Sequence, residues 1–107
     1  MRQITATQLH TQLTADSDAP PVLLDVREPH EFAYCHIEGS LNLPMNTIPA
    51  RLAELDPDAT LITICHHGMR SAAVADFLIG RGFVNVINLT GGIHAWALEV
   101  DPDMPRY

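Results

Sequence analysis

The chain has 107 residues, 47% of them hydrophobic and 18% charged, a size and balance that suit one globular domain over residues 1–107 and exclude a disordered chain. Six Lys and Arg against thirteen Asp and Glu leave a net charge of −7, a poor match to nucleic acid or to an anionic membrane surface. No charged N-terminal stretch leads into a signal-type apolar core and no apolar run reaches the length of a membrane span, so the expectation is a soluble cytoplasmic protein.

Taken in order, Ile4 marks a short strand or extended entry, and Thr5 or Thr7 is placed to cap a helix that buries Ala6, Leu9 and Leu13. Residues 16–21, with two Asp and two Pro, read as a loop. Residues 22–26 form a second apolar strand that delivers Arg27, Glu28 and Pro29 to its far end, and residues 29–34 allow at most a short helix. A turn over 35–40 precedes a third strand at 41–43, which Pro44 stops. The spacing of Ile48, Leu52 and Leu55 predicts a helix over 46–55.

Residues 61–64 are a β-branched run with no turn residue, the pattern of a buried strand. Cys65 closes it, His66, His67, Gly68 and Met69 make a tight loop, and a helix follows with Val74, Phe77 and Leu78 on one face. After a stop at Gly80–Gly82, residues 84–89 read as a strand, and Gly91-Gly92 opens a last helix that carries Ile93, Trp96 and Leu98; the tail from Asp101 is irregular. Strands alternating with helices predict an α/β fold with a mostly parallel five-stranded sheet and helices on both faces. Sites in such sheets lie beyond the carboxyl ends of the strands, which gathers Arg27, residues 44–46, 65–70 and 90–92 on one rim and sends Cys35 and His36 toward the other.

Cys65 therefore lies where a buried strand gives way to a helix. The first-turn amides of a helix lack intrahelical partners, and the helix dipole adds partial positive charge there. A loop curled around Cys65, with Arg70 beside it, favours the thiolate over the thiol and makes Cys65 the candidate nucleophile. Cys35 reads as a small buried residue in a tight turn, and two cysteines far apart make no disulfide framework. His66 and His67 are adjacent, and His10, His30, His36 and His94 show no ligand spacing, so no metal is expected.

Cys65-His66-His67-Gly68-Met69-Arg70-Ser71 resembles the active-site loop of the single-domain rhodaneses, the thiosulfate or persulfide sulfurtransferases. Asp25-Val26-Arg27 is similar to that family's strand-end motif. His36-Ile37-Glu38-Gly39-Ser40-Leu41-Asn42-Leu43-Pro44 is similar to its turn and following strand, and the stretch from Val86 to Trp96 to its last strand and helix. The resemblance spans nearly the whole length, with the motifs in the family's order. It departs at Cys35, where the family usually has glycine, and in the loop, where two histidines and a methionine replace small polar residues.

The resemblance implies a rhodanese-like three-layer domain without cofactor. In the implied mechanism Cys65 takes a sulfur from thiosulfate and passes it, as a persulfide, to a thiophilic acceptor: cyanide or a thiol. It assigns the binding of the anionic donor to the loop amides from His66 through His67, Gly68 and Met69 to Arg70, and to the side chains of Arg70 and Arg27, with a salt-bridged Asp25–Arg27 pair as the structural alternative. The phosphatases and arsenate reductases of the fold carry C-x5-R, whereas Cys65 and Arg70 are separated by four residues, a cradle better sized for one sulfur atom than for a tetrahedral oxyanion. A protein-to-protein persulfide carrier, or a non-catalytic binding module of the same fold, remain the alternatives to a thiosulfate sulfurtransferase.

Overall fold

The computed structural model describes residues 1–15 and 18–107, so Asp16 and Ser17 of the expected loop lie outside the described residues. Strands β1 (Arg2–Ile4), β2 (Val22–Asp25), β3 (Leu41–Asn42), β4 (Leu61–Ile64) and β5 (Val86–Leu89) form one sheet in the order β1-β5-β4-β2-β3. All four pairings are parallel, which follows from the helical crossovers between the strands. The helices are α1 (Ala6–Thr14), α2 (Pro29–Tyr34), α3 (Met69–Gly80) and α4 (Gly92–Glu99). Among the described residues no helix is long and apolar enough to cross a membrane.

Side-chain alternation along β4 decides which helix each residue meets. Ile62 and Ile64 join Ile87 and Leu89 in a core with Leu9 of α1 and Ile93 and Trp96 of α4. Leu61 and Cys65 point to the other face, with Leu24, Val86 and the α3 residues Val74 and Leu78. Full burial of each such Leu, Ile or Val contributes about 1.5–3 kcal/mol, and the two clusters hold the sheet between helical layers. Thr5 caps α1, its hydroxyl accepting from the Gln8 amide while the Gln8 side chain accepts from the Thr5 amide.

Two expectations give way. Residues 46–55 form two 3-10 segments, Met45–Thr47 and Pro49–Glu54, rather than one α-helix. Pro49 has no amide to donate, and the observed bonds are short i→i+3 links such as Thr47 N–H to Pro44 O and Arg51 N–H to Ile48 O. The apolar spacing nevertheless buries Ile48 and Leu55. The last helix carries Ile93, Trp96 and Leu98 as expected; α4 presents Ile93, Trp96 and Ala97 to the core and leaves Leu98 52% exposed. Cys35 does not reach the opposite rim: α2 has only six residues, and the Cys35 carbonyl accepts from Arg27 Nη2 at 2.6 Å.

The expected rim does assemble at the carboxyl ends of the strands. Met45 N–H donates to Val26 O, and the Asn42 side chain donates to Asp25 O and Arg27 O. The first turn of α4 is bonded to the chain leaving β4, with Ile93 N–H on Cys65 O at 2.9 Å and His94 N–H on His66 O at 3.0 Å.

Candidate active site

Cys65 is 1% exposed, its sulfur at the floor of the loop between β4 and α3. The sulfur accepts a hydrogen bond from Gly68 N–H at 3.1 Å, and the Ser71 hydroxyl lies 3.3 Å from it. Gly68 takes a left-handed conformation with φ +102 to turn its amide onto the sulfur at the start of α3. A β-carbon there would be strained, and would press on Gly91 N and Leu89 O at 3.3 Å. The buried Asn88 side chain of β5 braces the loop from below, its Nδ2 donating to Gly68 O at 3.1 Å and its Oδ1 accepting from Ser71 at 2.5 Å.

Arg27 is fully buried and engages every N–H of its guanidinium. Nε and Nη2 donate to the Asp25 carboxylate, Nη2 also to Cys35 O, and Nη1 to Glu31 O and the Tyr107 hydroxyl. No donor is left for an anionic substrate, so the expected donor-binding role of Arg27 gives way to the salt-bridged alternative, a pin that ties α2 and the tail to β2. Arg70 grips Glu31 through two bonds of 2.7 and 3.0 Å, and the Arg70 guanidinium holds the Glu31 carboxyl down at about 2, below the usual carboxylate range. Tyr107 bridges the two ion pairs, accepting from Arg27 at 2.8 Å and donating to Glu31 at 2.9 Å. Burial pushes the Tyr107 hydroxyl up, and burial followed by His67 keeps the His66 imidazole below its usual value.

The Rhodanese-like domain family matches residues 5–99. The chain belongs to that family. It is 40% identical over 85 residues to the thiosulfate sulfurtransferase GlpE of Stutzerimonas stutzeri, an alignment spanning 79% of this chain and 78% of that protein. A sulfurtransferase of Allochromatium vinosum is 36% identical over 97 residues, 91% of this chain and 89% of the relative. The crystal structure of a rhodanese-like domain protein from Staphylococcus aureus superposes with a TM-score of 0.83 at 33% identity, over 90% and 91% of the two chains. These likenesses set the chain among the rhodanese-type sulfurtransferases, a class that works on a sulfur donor and a sulfur acceptor.

Within this rhodanese frame the remaining loop residues sort by exposure. Met69 is 83% exposed, His67 is exposed, and His66 is half-buried with its ring stacked on Tyr107 at 3.9 Å. Both cysteines are free; Cys35 packs on the α1–α4 face of the sheet and Cys65 on the α3 face, so the sheet separates the two thiols. Glu31, Ser71, Asn88 and Tyr107 were not among the residues expected at the site. Asn88 carried a signal, a polar residue inside an apolar strand, which is buried only when hydrogen-bonded. Tyr107, in an irregular tail, carried none.

Proposed function

We propose that this rhodanese moves a sulfane sulfur from thiosulfate, or from a persulfide donor, to a thiophilic acceptor through a persulfide on Cys65. The observation that carries the reading is the sulfur of Cys65 facing the Gly68 amide and the Ser71 hydroxyl at a helix N-terminus, donors placed where negative charge on sulfur must be held. The Cys65 thiolate attacks the outer sulfur of thiosulfate, the sulfur–sulfur bond breaks, and sulfite leaves with the bonding pair. Cyanide or a thiolate then attacks the outer sulfur of the persulfide, and the Cys65 thiolate is released with its electrons. No cofactor enters either step.

Loop amides from His66 to Arg70 receive the donor anion. Arg70 and Glu31 cancel in charge, so attraction in this protein of net charge −7 falls to those amides and the α3 N-terminus more than to a free arginine. Arg27 positions α2 and Tyr107 without touching substrate. The protruding Met69 supports a second reading, a relay that exchanges sulfur with a protein donor or acceptor, since an exposed thioether beside the cradle suits an adaptable protein contact.

The test is to incubate the reduced chain with excess thiosulfate, record its intact mass, then add cyanide and assay thiocyanate, with Cys65→Ser and Cys35→Ser in parallel. The expected outcome is a gain of one sulfur atom that requires Cys65, does not require Cys35, and is discharged by cyanide. Loading only from a persulfide donor protein would reassign the chain as a relay. A chain that stays unloaded with either donor is a binding module.

A further inference from the structure

Three histidines that sequence spacing does not connect meet beside the Cys65 loop. His66 and His67 follow β4, and His94 arrives from the first turn of α4. One ring nitrogen from each lies within 4.8 Å of those of the other two. The ring centroids are 4.0 Å apart for His66–His67, 5.0 Å for His67–His94 and 6.2 Å for His66–His94. Imidazoles on one tetrahedral ion, with metal–nitrogen bonds of about 2.0–2.1 Å, set their centroids about 5 Å apart. The observed separations bracket that spacing, so rotations that move the rings by about 1 Å bring all three nitrogens onto one ion.

The frame beneath the rings is built to hold them together. His94 N–H on His66 O and Ile93 N–H on Cys65 O fix the α4 backbone against the loop. The approach is so close that a β-carbon on Gly92 would collide with the Cys65 and His66 carbonyls. The ring of His66 is further held by stacking on the Tyr107 ring, with centroids 3.9 Å apart. All three rings reach solvent, giving an ion an entry path, and Arg70 of the same loop is neutralised by Glu31 and does not repel a cation.

We propose that His66, His67 and His94 form a binding site for one divalent transition-metal ion of the zinc, cobalt or nickel class. Imidazole nitrogen suits these ions, whereas calcium and magnesium call for oxygen ligands. Cys65 is not among the ligands, because its sulfur faces Gly68 and Ser71. Three protein ligands leave a fourth position on a tetrahedral ion for water or a small anion. The site is independent of the sulfur-transfer reading and stands or falls on binding alone.

The test uses the untagged, reduced full chain, titrated with Co²⁺ followed by visible absorption and with Zn²⁺ followed by calorimetry. The expected result is one ion per chain, with the ligand-field bands of a nitrogen-coordinated Co²⁺ and no thiolate-to-metal charge-transfer band. His94→Ala should weaken binding at least tenfold, while Cys65→Ser and the remote His30→Ala leave it unchanged. Thermal melting of each variant separates loss of ligand from loss of fold, and His94→Gln supplies a second, milder removal of the ligand. Binding equally tight in folded His94→Ala and His94→Gln, or no one-to-one binding by the native chain, overturns the proposal. A charge-transfer band that disappears in Cys65→Ser also overturns it, since the ion then sits on the thiol.

Discussion

Ser71 has one hydroxyl proton and two acceptors in reach, the Cys65 sulfur at 3.3 Å and Asn88 Oδ1 at 2.5 Å. A charged acceptor takes the stronger hydrogen bond, so the proton turns to sulfur when Cys65 is a thiolate, and Asn88 Oδ1 keeps Thr63 Oγ1 as a donor at 3.3 Å. A hydrogen bond to a charged group contributes about 1.5–3 kcal/mol. Ser71→Ala should therefore slow single-turnover sulfur loading from thiosulfate by about tenfold or more, while the melting temperature falls only slightly. An unchanged loading rate would remove Ser71 from the cradle. At this scale the place of Cys65 at a strand end and the turn at Gly68 before a helix were legible, because both are local signals. Glu31 was not, since nothing local tells a helix carboxylate that its partner is an arginine 39 residues away.

The element that matters most to the site is the junction of α4 with the loop after β4. Gly92 has φ +58, and a β-carbon there meets His66 O at 2.6 Å and Cys65 O closer still. Gly92→Ala should push α4 off the loop, at a cost of about 2 kcal/mol or more in stability and with faster amide exchange at Ile93 and His94. Native-like exchange at these two amides would show that the junction tolerates a side chain. The same scale explains the misread 46–55 segment. Apolar periodicity reports which side chains are buried, and Ile48 and Leu55 are; it does not report the backbone ladder, which Pro49 interrupts.

Across the whole molecule, the Glu31–Arg70 pair links α2 to α3 and gives stability an acid dependence. Glu31 titrates at about 2 in the folded chain against 4.5 for the ordinary residue, so its stabilisation is fully present above 4.5 and is lost as pH falls toward 2. Arg70 is 37% exposed on its side chain, so solvent screening reduces the contribution to on the order of 2 kcal/mol. Urea midpoints of the native chain and Glu31→Gln should differ most at neutral pH and converge as pH falls from 4.5 toward about 2. A gap that stays constant with pH would mean that the ion pair does not supply the difference.

Alternating apolar strands and helices, Gly68 before a helix, and a cysteine at a strand end were enough to reveal the parallel α/β fold, the rim that carries the site and the loop around Cys65. These features depend on neighbours within a few residues or on a repeating period, and the chain writes both openly. The tertiary structure alone decided that Arg27 is buried and saturated by Asp25, Glu31, Cys35 and Tyr107, and that Asn88 braces Gly68. It also decided that His94 joins His66 and His67. The physical reason is common to all three. A polar side chain's role is set by the groups it meets in the folded chain, and those groups come from segments that only the packing of the sheet and helices brings together.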